Sequence, residues 1–350
     1  MSTAVGNTAV GNTAAGNTAR GRTTDAPTRS TPGNGAGQYL ATLQDITVDE
    51  DRRGASVGGH RITAETERQL RSQLSVALYD HLHAGRTADD AGHQRPQRDE
   101  SMEALLGKEV GHRYTSGPAL LVRPAPRPGP EGTVLIEHAG LRVWAPLDAV
   151  NDGRPSPVGA VVPLRVSAHR PTLSPGFYLV DGARGATSST QPLLRLYLHA
   201  RTAQDAVTLW GLTIDHLHAA DLAYRAKVLS SSAFYPRQDS IVVYLPKESW
   251  PALAELVAAV ERSPDELRGA ATSRFAERLG RGIALAAEPS DATRPGLSFG
   301  QHRALVAAGA LIETADHTDD LATVLTGMAL AAGIDPDHPW RNTDTPHVHL

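Results

Sequence analysis

Seven side chains have the types and spacing to hold an anion and move a proton: Arg195 and Tyr197, Arg225 and Lys227, Arg237, and His302 with Arg303. Lys227 stands out by type. The chain has three lysines, Lys108, Lys227 and Lys247, and every other basic Lys/Arg position is arginine. Cations crowded around an amine favour its neutral form, an option closed to a guanidinium. A lysine among arginines therefore reads as a base, and the arginines as ligands for a negative group. His302 and Arg303 fall in the first turn of a helix opening at Gly300, where cations oppose the helix dipole unless an anion lies between them. Free N–H groups at a helix start, together with several arginines, make a phosphate or carboxylate site.

The elements that must position these residues are legible from periodicity. Leu193–Leu198 alternates as a strand, with Leu194, Leu196 and Leu198 on one face and Arg195, Tyr197 and His199 on the other. Leu222–Leu229 is a second strand; Arg225 and Lys227 share a face opposite Tyr224, Ala226 and Val228. Arg237 and Asp239 lie in the loop leading to a strand at Ile241–Leu245. Further strands are expected at Thr133–Glu137, Leu141–Trp144, Val161–Val166 and Phe177–Val180, separated by Pro/Gly-rich stretches that suit antiparallel pairing. A helix from Thr63 carries Leu70, Leu74, Leu78 and Leu82 at i+4 and stops at Gly85. Others are expected at Ser101–Lys108, Ala203–His218, Ser249–Arg262, Gln301–Glu313 and Asp320–Ala332. The fold class is α+β, a mixed or antiparallel sheet flanked by helices. Residues 1–40, with their TAVGN repeats and Thr/Pro/Gly-rich continuation, read as a disordered tail. Residues 41–172 read as a helical and β region, and 173–350 as the core that carries the chemistry.

Competing motifs fail on context. GLSFG (296–300) matches G-x-S-x-G, but that motif needs a buried strand before it, and AAEPSDATRP reads as a loop. Ser298 with Gln301 makes a capping box instead. The pairs His81/His83 and His216/His218 are i, i+2 on helices and cannot chelate together; His347/His349 has no acidic cluster beside it. No metal site and no cofactor is expected. Kinase motifs are absent. A net charge of −4 over 350 residues leaves no nucleic-acid footprint, and no apolar run approaches a membrane span. There are no cysteines, which excludes thiol chemistry and fits a cytoplasmic protein.

The stretches LSPGFYLVDG (173–182), LLRLYLHA (193–200), YRAKVLSSSAFYPRQDSIVVYL (224–245), GIALAAEPSDATRPGLSFGQHRALVA (282–307) and GIDPDHPWRN (333–342) resemble the HopA-type family of bacterial type III effectors. YDHLHAG (79–85) extends the resemblance toward the N-terminus. His199 and His218 depart from the asparagines of that pattern. Actinobacterial relatives of the family serve as lyase subunits of class V lanthipeptide synthetases. The resemblance implies a phospho-Ser/Thr lyase that eliminates phosphate from a ribosomal precursor peptide bearing a leader. Its implied partner is a separate kinase-like subunit, in a heterodimer. Such an elimination needs a base, charge stabilisation for the leaving phosphate and an acid. Lys227 is assigned as base, His302 as acid, Arg195, Arg225, Arg237 and Arg303 as phosphate ligands, and Tyr197 as an orienting group. Lys227 and His302 could exchange roles. A non-catalytic protein that binds a phosphopeptide or a kinase is the alternative.

Overall fold

The computed structural model describes residues 37–86, 98–123, 132–185 and 192–348. The N-terminal half holds α1 (Gly37–Ala41), β1 (Thr47–Val48), β2 (Gly54–Val57), β3 (His60–Thr63), α2 (Glu67–Leu78), α3 (Glu100–Lys108), β4 (Tyr114–Arg123), β5 (Thr133–His138), β6 (Leu141–Pro146) and β7 (Val161–Ser167). Then follow β8 (His169–Ser174), β9 (Phe177–Asp181), β10 (Leu193–Leu198), α4 (Ala203–Ala219), β11 (Arg225–Leu229), β12 (Ile241–Pro246) and α5 (Leu253–Glu261). The chain ends with β13 (Glu277–Gly280), β14 (Ile283–Ala287), α6 (Phe299–Glu313) and α7 (Leu321–Ala331). The α+β expectation holds, and all pairings between these strands are antiparallel. No helix among the described residues is long and apolar enough to cross a membrane.

A seven-stranded sheet, ordered β13-β14-β10-β12-β11-β9-β8, separates two hydrophobic cores. The period-2 pattern of β10 decides which residue enters which core. Leu194, Leu196 and Leu198 pack with Leu106 of α3, Trp210 and Ile214 of α4, and Leu253 of α5. Tyr197, on the opposite face, packs with residues of α1, α2, α6 and α7. That face was expected to be polar; α2 and α6 cover much of it. A four-stranded sheet, β6-β5-β4-β7, has its own small core around Ile136, Leu121 and Leu164, and β1-β2-β3 forms a third sheet.

The helix expected from Thr63 starts after the cap Thr66, whose side chain accepts from Gln69 N. Leu70, Leu74, Leu78 and Leu82 are all fully buried, each contributing about 1.5–3 kcal/mol. Recurrence at i+4 drifts by about 40° per step on an ideal α-helix. The chain relieves that drift by widening to a π-helix over Tyr79–Ala84, which ends at Gly85 in the left-handed conformation, φ 69°. The tail expected over 1–40 is corrected at its end: Gly37–Ala41 is helical and Tyr39 is fully buried, its hydroxyl donating to Arg303 O at 2.5 Å. Residues 1–36 lie outside the described residues. The boundary placed at 172 falls inside β8, a strand of the large sheet.

Candidate functional site

The expected cations converge on the sheet face that carries Lys227. Register aligns Arg195 of β10 with Tyr244 of β12, and Tyr244 with Arg225 of β11, which in turn faces Asp181 of β9. The next row on the same face runs Tyr197, Val242, Lys227, Leu179. A cleft of about 510 Å³ opens between this face, Tyr79 at the start of the π-helix, and a strap from Glu288 to Ser298 that leads into α6. Lys227, Arg195, Phe177, Glu288, Asp291 and Arg294 line it.

Cations and aromatic rings alternate across the face. Arg237 Cζ lies 5.9 Å from the Phe177 centroid, and Lys227 Nζ 4.2 Å from the same ring. Lys227 Nζ is 5.8 Å from the Tyr244 centroid, and Arg195 Cζ 4.9 Å. Lys227 therefore sits in the middle of a series of cation–π contacts. The two outer arginines are each locked onto a carboxylate. Arg195 gives Nε and Nη2 to Glu288, the latter at 2.6 Å. Arg237 gives Nε and Nη2 to Asp239 at 2.8 and 2.7 Å and also donates to Tyr79 Oη at 3.0 Å. Lys227 makes no ion pair among the described residues. The expected crowd of uncompensated cations is thus corrected: a buried guanidinium needs a counter-charge, and here each finds one or is enclosed by acceptors.

Arg225 points elsewhere. Its Nε and Nη2 pair with the fully buried Asp181 at 2.6 and 3.2 Å, beside Arg170 at 3.3 Å from the same carboxylate, and it does not line the cleft. Arg303 is fully buried and gives its donors to Pro339 O, Arg341 O, Asn342 Oδ1 and His302 Nδ1. Burial lowers its pKa to about 10, so it stays charged; it braces the C-terminal segment and does not line the cleft. His302 is also fully buried. Arg303 can only donate, so its Nη1, 2.8 Å from His302 Nδ1, makes that atom the acceptor; the Nε2 proton then goes to Asp291 Oδ2 at 3.2 Å. Burial, with Arg303 beside it, brings the His302 pKa down to about 4. His302 holds Asp291 and does not line the cleft. Tyr197 is buried, and its hydroxyl meets no hydrogen-bond geometry with any of the described residues; burial raises its pKa although Arg195 opposes this.

Four groups that line the cleft were missed: Tyr79, Glu288, Asp291 and Arg294. The last three stand in AAEPSDATRP, the stretch read only as a loop. Asp239 was noted beside Arg237, yet its role is structural as well as local. It is buried, accepts from Tyr79 Oη at 3.1 Å and lies 3.9 Å from His83 Nε2, while His83 Nδ1 is 2.8 Å from Ser273 Oγ. Burial raises its pKa, and Arg237, then His83, outweigh this and hold it below the carboxylate range. The first turn of α6 approaches closely because residue 300 is glycine: a Cβ there would meet the His83 ring at 2.3 Å. The Ser298 capping box is present as expected, with Gln301 N donating to Ser298 Oγ and Ser298 N to Gln301 Oε1. No group of three or more metal-ligating side chains occurs among the described residues; His349 lies outside them.

Known proteins relate to this chain as follows. No curated protein matches its sequence. The solved effector protein from Pseudomonas syringae pv. tomato strain DC3000 is 16% identical, with a TM-score of 0.44, over 78% of this chain and 94% of its own. The effector protein from Pseudomonas syringae pv. syringae strain 61 is 12% identical, with a TM-score of 0.40, over 77% and 98%. The sequence profile of the HopA1 effector protein family matches residues 168–341, a span that includes Lys227, the strap and α6. Over residues 168–341 the chain therefore carries a domain of the HopA1 effector protein family.

Proposed function

We propose that the cleft eliminates phosphate from a phosphoserine or phosphothreonine of a peptide, and that Lys227 is the base. The observation that carries this reading is the state of Lys227: it lines the cleft without an acidic partner among the described residues, while Arg195, Arg237 and Arg294 around it each carry one. A base must be free to accept a proton, and an amine ion-paired to a carboxylate is not.

The Lys227 amine, once it has given up its proton, takes the Cα proton. The electron pair of the C–H bond forms the Cα=Cβ double bond, and the Cβ–O bond breaks with its pair going to the bridging oxygen of the departing phosphate, which takes a proton from solvent and leaves as hydrogen phosphate. The products are dehydroalanine or dehydrobutyrine in the peptide, inorganic phosphate, and protonated Lys227. Phosphate charge is met by arginine and by the N-terminus of α6. Phe177 and Tyr244 hold the Lys227 side chain between them, so the amine reaches neither Glu288 nor Asp239. The peptide is proposed to arrive phosphorylated by a separate kinase-like subunit, as in lanthipeptide synthesis; effector-type members of the family supply the other reading, in which the cleft only holds a phosphopeptide.

Lys227→Arg tests the assignment, because it keeps the charge and removes the titratable amine. The variant should bind phosphopeptide and leave it phosphorylated. Dehydrated peptide formed at near the wild-type rate would remove Lys227 from the mechanism.

A further inference from the structure

The arginines near the cleft differ in which edge of the guanidinium they spend. Arg195, Arg225 and Arg237 each turn the Nε–Nη2 edge onto a carboxylate. Arg303 gives Nε and Nη2 to main-chain and amide oxygens. Among the described residues Arg294 is bound only through Nη1, which donates to Asp291 Oδ2 at 2.8 Å. Its side chain is 41% exposed and lines the cleft with Lys227. The Nε–Nη2 edge, the one whose two parallel N–H groups match two oxygens of a phosphate, is open.

Arg294 is held by a carboxylate that is itself fully hydrogen-bonded. Asp291 is 4% exposed and all its partners are assigned. Oδ1 accepts from Thr293 N and Thr293 Oγ1 at 2.8 and 2.6 Å. Oδ2 accepts from Arg294 and from His302 Nε2. His302 is in turn fixed by Arg303, whose other donors grip Pro339, Arg341 and Asn342. A chain of hydrogen bonds thus runs from the buried Arg303 through His302 and Asp291 to the exposed guanidinium.

We propose that Arg294 is the residue that binds the phosphomonoester dianion of the substrate, and that His302 and Asp291 are positioning residues for it. This rests on the reading of the cleft as a phosphopeptide site. It moves phosphate recognition from the four arginines of the sequence analysis to a fifth, and it gives the buried His302 a role compatible with its place. Replacing Arg294 by lysine keeps one positive charge and loses the two-pronged edge.

The test measures phosphopeptide affinity by calorimetry and turnover by mass spectrometry, with inorganic phosphate as a competing ligand. Arg294→Lys should weaken phosphopeptide and inorganic phosphate binding about tenfold or more, the scale of a lost charge-assisted hydrogen bond. KM should rise with it while the unphosphorylated peptide binds as before. His302→Leu should raise KM in the same way with little change in kcat. His302→Gln, whose amide can accept from Arg303 and donate to Asp291, should restore it. Unchanged affinity in Arg294→Lys overturns the proposal even where His302→Leu fails to fold. Loss in both His302 variants without rescue overturns the positioning role. Wild-type protein that binds no phosphopeptide overturns the reading of the cleft itself; wild-type binding with an indifferent Arg294 overturns this proposal alone.

Discussion

At the scale of single residues, charge pairing decides what each cation is for. Asp239 is buried and its charge is answered chiefly by Arg237. Arg237→Ala should therefore cost about 3–5 kcal/mol, as expected for a buried carboxylate left alone. Urea unfolding would show it, and a loss below about 1 kcal/mol would mean that water reaches Asp239. Two buried histidines make stability depend on pH. His83, among Ser273, Asp239, Arg237, Arg195 and Lys227, and His302, between Asp291, Arg303 and Arg294, both have pKa values lowered from 6.5 to about 4. The unfolded chain takes up protons at these sites near pH 6.5 and the folded chain only near pH 4. Their contribution is thus fully present above pH 6.5 and is lost as pH falls toward 4, on the order of 3 kcal/mol for each histidine. Melting temperature should drop across that window, and His302→Gln should flatten the slope. An unchanged slope would mean that His302 is protonated in the native state.

At the scale of elements, α6 is the piece on which the site depends. Its capping box satisfies two end groups, and Ser298→Ala should cost about 0.5–2 kcal/mol with elimination retained. Loss of turnover at unchanged stability would give Ser298 a chemical role. The cap was legible because Ser298 and Gln301 are neighbours in sequence and the signal is local. So were α2, from its leucines, and the opposed faces of β10 and β11, from alternation. β14 was not: IALAA (283–287) is apolar throughout and fully buried, so it has no period to read. The acids at Glu288 and Asp291 escaped for a different reason. An ion pair such as Arg195–Glu288 joins residues 93 positions apart, and only strand register brings them together. The sequence-level reading therefore found the cations, misjudged their burial and omitted their partners. It also took His302 for a group facing ligand because cations at a helix start call for an anion; here His302 is fully buried between Arg303 and Asp291.

At the scale of the whole molecule, the HopA1 domain of residues 168–341 does not supply the whole site. Tyr79 lines the cleft from the N-terminal half, and α2 covers α6 with its buried leucines. The full chain is accordingly the form to assay. The most direct measurement is incubation of that chain with a phosphothreonine peptide, followed by intact mass. The account predicts a peptide lighter than its unphosphorylated parent by one water, with inorganic phosphate released in equal amount. A peptide returned to the mass of the unphosphorylated parent would mean hydrolysis and contradict elimination, and phosphopeptide bound but unaltered, even with a kinase-like partner present, would make the cleft a binding site only.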